Sequence, residues 1–408
     1  MKRNVPKLRF KGFNDELKKE KFQNLVTLQR GSSPRPIIKY ITTSEDGVNW
    51  IKIGDVSTGK TFIDKTAEKI TKEGAEKSRK VQVGDLILSN SMSFGRPYIM
   101  KIDGYIHDGW FVLKNYQKNF NREYLCQLLT SPIIQKQYKR LAAGGVVNNI
   151  SSELVNAVIV NVPSLQEQER IANFLTKVDK IIEKQDEKVK NLEKYKKGMM
   201  QKIFSQEIRF KDENGNEYPE WQKMKLKDVA NRFEYGMNSA STEFDGKNKY
   251  IRITDIDENT YKYKNDNIVS PEGVLEDKYL VNENDILFTR TGASVGKTYL
   301  YDKNDGRLYF AGFLIRVNVN EDNNSRFIFL QTQTNEYKRW VKIMSMRSGQ
   351  PGINSQEYGM YNVNIPCIDE QNKIANVFEK IDSIIQKEND KNKKLHEFKK
   401  GLLQQMFA

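Results

Sequence analysis

The chain repeats itself across its middle. PSLQEQERIANFLTKVDKIIEKQDEKVKNLEKYKKGMMQKIF begins at Pro163, and PCIDEQNKIANVFEKIDSIIQKENDKNKKLHEFKKGLLQQMF begins at Pro366, 203 residues later in a chain of 408. The offset is half the molecule, so one unit has been written twice, and a repeat on this scale governs every other reading. Two units of about 200 residues each are long enough to bury their own cores.

Each repeated segment is helical by its spacing. The first carries Ile171, Phe174, Leu175, Val178, Ile181, Ile182, Val189, Leu192, Tyr195, Met199 and Ile203 on one face; the second carries Ile374, Val377, Phe378, Ile381, Ile384, Ile385, Leu395, Phe398, Leu402 and Met406. A helix of this length runs on the order of 60 Å, which suits a spacer better than a packed domain. Both seams turn polar at mid-length, at Gln185 and Lys188 and at Glu388, Lys391 and Asn392. An antiparallel pair aligns these middles and leaves apolar ends facing apolar ends, and polar seam residues then set the register; a parallel pair would align the middles too but would put both globular units at one end, so the antiparallel arrangement is favoured. Ile171, Val178, Ile181, Leu192, Ile374, Ile381, Ile384 and Leu395 are the expected seam and assembly positions. Adjacent apolar pairs such as Ile181-Ile182 and Ile384-Ile385 widen the stripe beyond a strict seam, so the chain's own domains or a partner must cover the excess.

Ahead of each helix lies a mixed α and β segment. Trp50 to Val56 matches Tyr250 to Ile256, and Val83 to Ser89 matches Glu283 to Thr289; alternation and β-branched residues read these as strands. Between the anchors the halves diverge freely, as one scaffold presenting two different surfaces would. The Leu8-Arg9-Phe10-Lys11 element at the start of the chain reappears as Ile208-Arg209-Phe210-Lys211 after the first helix. The segment after helix one thus resembles the segment that would come after helix two in a circular chain, which places the two termini close together. The expected fold class is α+β: two globular mixed α/β domains at 1–163 and 207–366, and two long antiparallel coiled-coil helices at 164–206 and 367–408, related by a pseudo-twofold repeat.

Catalytic chemistry is hard to find. With only His107 and His396, histidine-based metal clusters and acid–base pairs are nearly excluded, and Cys126 and Cys367 hold no matching places in the repeats. Gly292-Ala293-Ser294-Val295-Gly296-Lys297-Thr298 approaches the phosphate loop of nucleotide hydrolases but has three residues between its glycines where that loop needs four. No two prolines are adjacent, as an adenine-methylating loop would require. The N-terminus has no apolar core of a signal peptide and no run is long enough to span a bilayer, so a cytoplasmic chain is expected. The pattern is that of a binding protein.

Lys and Arg number 67 against 53 Asp and Glu, a surplus of +14 that favours a polyanionic partner. Base or phosphate contacts are expected from polar and basic loops: Arg30, Arg35 and Lys39, then Asn90 and Arg96, then Asn148 and Asn149. In the second half they are Asn238, Arg290, Lys297, Arg347, Gln350 and Asn354. Arg suits guanine and Asn or Gln suits adenine by bidentate geometry, while Lys mostly holds phosphate. Any one of these alone could equally be a solvated surface group; the recurrence of Gly-flanked clusters at equivalent places in both halves is what singles them out.

Pro163, Glu167, Gln168, Ile171 and Ala172, repeated as Pro366, Glu370, Gln371, Ile374 and Ala375, combine with Lys-Lys-Gly near each helix end and the Arg-Phe element opening each half. In these features the whole chain resembles the specificity subunit of type I restriction-modification systems. The resemblance implies two target-recognition domains, each reading one half of a bipartite, asymmetric double-stranded DNA site, with the helices setting the spacer. It also implies two methyltransferase subunits carrying S-adenosylmethionine and two motor-nuclease subunits using ATP and magnesium, with no cofactor or metal on this non-catalytic chain. A two-headed scaffold that binds no DNA, its basic surface a matter of composition, is the competing class.

Overall fold

The computed structural model describes residues 5–56, 61–90, 95–142, 150–346 and 349–407. Two compact units emerge: one of residues 1–187 and 389–408, the other of 188–388. Each therefore contains part of both long helices, which run over Leu165–Phe204 and Ile368–Met406.

In the first unit an antiparallel sheet orders Thr27–Arg30, Trp110–Lys114, Leu86–Ser89 and Pro97–Met100, with Phe62–Ile63 added in parallel at the edge. The second unit repeats the order as Ala230–Tyr235, Leu314–Val319, Asp285–Thr289 and Thr298–Leu300. Both faces of the inner strands are covered, which is why Leu86–Ser89, Trp110–Lys114, Asp285–Thr289 and Leu314–Val319 are buried over nearly their whole length, while the edge strands Thr27–Arg30 and Ala230–Tyr235 stay polar and open. Leu86, Leu88, Phe111 and Leu113 join the cluster that holds Ile171, Leu175, Leu402 and Phe407, while Ile87, Trp110 and Val112 pack on the other side with Ile51 and Ile106. In the second unit Ile286, Phe288, Ile315 and Val317 face the helices, and Leu287 and Leu314 face away with Ile251 and Phe310. Each such side chain contributes about 1.5–3 kcal/mol on full burial.

The strands expected through Val56 and Ile256 stop earlier, at Ile51 and Ile251, and give way to tight turns at Ile53–Asp55 and Ile253–Asp255. The cause is local. The Asp55 carboxylate accepts the Lys52 N–H at 2.7 Å and Asp255 accepts that of Arg252 at 2.9 Å, closing the backbone on itself.

The shared motifs prove to be clasps. Arg9 donates from Nε and Nη2 to the two carboxylate oxygens of Glu167 at 2.7 and 2.8 Å, and Arg209 engages Glu370 in the same way at 3.4 and 2.8 Å. Both glutamates are fully buried. The neighbouring Gln168 accepts the Asn121 N–H at 2.9 Å and donates to the Asn119 and Pro163 carbonyls; Gln371 accepts from Asn324 and donates to Pro366. Glu-Gln at each helix start thus pins the Arg-Phe element and the helix-bearing segment that comes after the central sheet. The termini meet as the circular repeat requires: Leu8 N–H donates to the Gln405 carbonyl at 3.1 Å, matching Ile208 to Lys202 at 3.2 Å.

Within each unit the helical segments run antiparallel. In the first, Lys399 pairs with Asp179 and Asn392 with Asp186; in the second, Lys196 pairs with Asp382 and Lys188 with Glu388, so rising numbers on one helix meet falling numbers on the other. The leading Lys of each Lys-Lys-Gly is the one that forms these bonds. Of the expected seam positions, Ile171, Val178 and Ile374 are buried, and Leu192, Ile381 and Leu395 are half-buried. Ile181 and Ile384 are corrections: they are 54% and 49% exposed, and Ile182, at 5%, takes the inward place. Buried positions Ile171, Leu175, Val178, Ile182, Gln185 and Val189 alternate steps of four and three, and a second consecutive step of three, from Val178 to Ile181, would rotate off that stripe. Among the described residues, no helix is long and apolar enough to cross a membrane.

Candidate nucleic-acid interface

In each unit, loops leaving the central sheet converge on one turn. The first strand of the sheet ends at a glycine, Gly31 or Gly236, whose N–H donates across to the Trp110 or Leu314 carbonyl. A β-carbon on either glycine would lie 2.0 or 2.2 Å from a carbonyl oxygen of that turn, His107 or Ala311, so no other residue fits. The strand-to-strand loop beyond is equally matched. Ser89 and Thr289 N–H groups donate to the Arg96 and Lys297 carbonyls, both at 2.9 Å, and Ile150 and Ile353 donate back to the Asn90 and Arg290 carbonyls. Asn90 and Arg290 are therefore the same framework position, as are Arg96 and Lys297.

The first unit gathers its candidates around Asp108. Arg30 donates to the Asp108 carbonyl at 3.2 Å, Arg35 approaches its carboxylate at 3.7 Å, and Ser33 Oγ donates to Oδ1 at 2.8 Å. The Ser33 hydroxyl, against a smaller opposing effect of burial, holds the Asp108 carboxyl below its usual range. Arg30, Arg35 and Lys39 are exposed, whereas Asn90 is only 4% exposed and spends its amide on the Asp108 carbonyl at 2.8 Å. Asn90 thus shapes the turn from inside and is not presented to a ligand. Arg96 is half-buried and has no ion pair among the described residues. Asn148 and Asn149 lie outside the described residues, as does Arg347 in the second unit.

In the second unit Arg290 reaches the Gly312 carbonyl at 3.4 Å, and its guanidinium lies over the Tyr235 ring at 4.8 Å. Such stacking fixes an otherwise mobile cation. Burial pushes the Tyr235 phenol up, but its bonds with the Ser355 hydroxyl and N–H, together with Arg290, outweigh this and leave it below the usual value. Gln350 is exposed beside Gly292, and exposed Asn238 adjoins Gly312. Asn354, also exposed, commits its Oδ1 to the Glu357 N–H at 2.9 Å as a helix cap. Lys297 stands apart, paired with Glu258 at 2.6 Å. The loop around it is no phosphate cradle: Gly292, Val295, Gly296 and Lys297 N–H groups all donate to backbone carbonyls, and the buried Thr298 hydroxyl bonds Thr332 at 2.7 Å.

Asp108, Ser33 and Tyr235 were not expected from the sequence. The two glycines were a usable signal, since each comes after a strand at an equivalent place, but what the strand faces is visible only once the turn is packed on it.

The domain profile described as the type I restriction modification DNA specificity domain matches residues 17–194 and again 218–397. The chain belongs to that family. It is 22% identical over 305 residues to the type I restriction enzyme MjaVIII specificity subunit of Methanocaldococcus jannaschii, covering 72% of this chain and 71% of the relative. The putative MjaX specificity subunit of the same organism is 27% identical over 205 residues, 47% of this chain and 45% of the relative. In fold it resembles the S subunit of a type I restriction-modification system from M. genitalium, with TM-score 0.58, 16% identity and 99% of both chains covered. A chain from structural work on complex assembly and conformational transition of the type I R-M system gives TM-score 0.60 at 14% identity, covering 96% and 97%. As a specificity subunit with two target-recognition domains, the molecule has DNA recognition as its work. Among the described residues, no group of three or more His, Cys, Asp or Glu is placed to hold a metal ion.

Proposed function

We propose that each unit reads one half of a bipartite, asymmetric DNA site and that the paired helices set the unread spacer and dock two methyltransferase subunits, with two motor-nuclease subunits completing the assembly. The carrying observation is that one hydrogen-bonded framework carries different side chains at equivalent positions: the turn tipped by the Asp108 carboxylate over buried Asn90 in one unit is tipped in the other by Gly312 and Phe313 beside the Arg290 guanidinium, which stacks on Tyr235. Identical scaffolds with different tips suit two unlike half-sites. In this reading Arg30, Arg35, Arg290 and Gln350 face bases or phosphates, Lys39 and Lys297 hold phosphates, and S-adenosylmethionine, ATP and magnesium belong to the partner subunits. The occupied N–H groups of the loop at 292–298 support the last point for nucleotide.

Methylation mapping of DNA modified by the complex tests the proposal. A split motif is expected, its parts centred about one helical turn, roughly 34 Å, apart; a continuous motif overturns it. A scaffold that binds no DNA would instead show no affinity falling steeply with salt, the signature of several phosphate contacts.

A further inference from the structure

We infer that Phe313 is a specificity-determining residue of the second unit and makes an apolar contact with a base in the half-site that unit reads. The inference rests on the proposed DNA-reading role and adds to it the chemistry of one contact.

Phe313 sits in a run that is otherwise inside. Leu308, Tyr309, Phe310 and Ala311 before it and Leu314 to Val317 after it are buried, yet Phe313 is 60% exposed and belongs to none of the apolar clusters among the described residues. Its backbone is held firmly: its carbonyl accepts the Arg290 N–H at 3.0 Å, Gly312 N–H donates to Met237 at 2.8 Å, and Leu314 N–H donates to Ala311 at 2.8 Å. A phenyl ring is thus held out from the protein on a rigid turn whose preceding residue, Gly312, accepts from the Arg290 guanidinium and adjoins Asn238.

The other unit explains why the ring can be there. Gly109 is the equivalent residue, since its carbonyl accepts the Asn90 N–H as that of Phe313 accepts Arg290. A β-carbon on Gly109 would lie 2.1 Å from the His107 ring, which folds back so that Nδ1 accepts the Gly109 N–H at 2.8 Å. In the second unit Ala311 replaces His107, and the space opens. The two units therefore differ by a coupled exchange: His with Gly gives a closed turn tipped by the Asp108 carboxylate, and Ala with Phe gives an open turn tipped by a phenyl. A phenyl neither donates nor accepts a strong hydrogen bond and adds nothing to phosphate binding, so on a DNA-reading surface its use is against the apolar parts of bases, the thymine methyl or an exposed base face.

The test compares wild-type and Phe313→Ala subunits, each in complex with the methyltransferase partner, by methylation mapping and by binding to duplexes varied one pair at a time. The expected result is relaxation at one or two adjacent pairs in a single half of the motif, with about tenfold less discrimination there and the other half unchanged. Lys297→Ala serves as the contrast and should weaken all sequences alike. Replacing thymine by uracil at the relaxed pair separates the two sources: loss of the wild-type preference identifies the methyl, and its retention identifies the base face. An unchanged motif, or a loss spread evenly over every sequence, overturns the assignment of Phe313 while leaving the DNA-reading proposal standing. A wild-type complex with no sequence preference overturns the proposal beneath it.

Discussion

Replacing Glu370 by Gln should loosen the second unit while sparing the first. Glu370 is fully buried and accepts three donors: Arg209 Nη2 at 2.8 Å and Nε at 3.4 Å, and the Trp221 indole N–H at 3.0 Å. A glutamine amide offers one acceptor and turns two donors toward groups that are themselves donors, so at least one donor loses its partner and the guanidinium loses its counter-charge. Removing one partner of a buried ion pair costs about 3–5 kcal/mol. Arg209 keeps the Tyr218 and Pro219 carbonyls at 3.1 and 2.7 Å and is slightly open to water, which argues for the lower end, about 3 kcal/mol. For a unit of about 200 residues this corresponds to a fall in Tm of roughly 6–12 °C. Because two units need not unfold as one, hydrogen exchange is the assay of choice. Amides of the segment around Arg209 to Trp221 and the start of the second helix should lose protection together. Replacing both partners, Arg209→Met with Glu370→Leu, should recover much of the loss, since an apolar pair costs no desolvated charge. A loss under about 1 kcal/mol, or equal loss of protection in the first unit, would refute the reasoning that the clasp holds this element.

Two other outcomes rest on the same geometry. Ile182→Asp should destabilise the first unit by several kcal/mol, since it places a charge in the apolar seam, whereas Ile181→Asp on the exposed face should change stability by less than about 0.5 kcal/mol; thermal melts that rank them the other way contradict the seam. Burial, opposed in part by Asp108, lowers the His107 pKa below its ordinary value, and its Nδ1 accepts the Gly109 N–H, so the folded state binds the neutral ring. The unfolded state then takes up the proton first, and stability of the first unit should fall as pH drops below about 6.5; a His107→Gln variant with the same pH slope would show that another group is responsible.

The sequence by itself determined the repeat, the two long helices to within a residue or two, the closeness of the termini and the family to which the chain belongs. These are legible because they rest on local period, on copies of one pattern, and on short motifs whose members bond each other. Even the polar mid-helix positions were readable, since Lys188 and Glu388 do pair. What the tertiary structure alone decided is which member of an adjacent pair faces inward and which loop side chains remain outside. Ile181 and Ile182 are chemically identical, and only the packing of Leu395, Leu402 and the sheet against one stripe separates them. Asn90 and Arg290 looked like two surface contacts, yet one is sealed beneath a turn and the other stacks on Tyr235. Phe313 lies outside although its chain neighbours are core, and the room for it at the turn comes from Ala311 standing where the other unit has a histidine. Burial of a loop side chain is set by what the rest of the chain brings over it, and that information is spread across residues far apart in sequence.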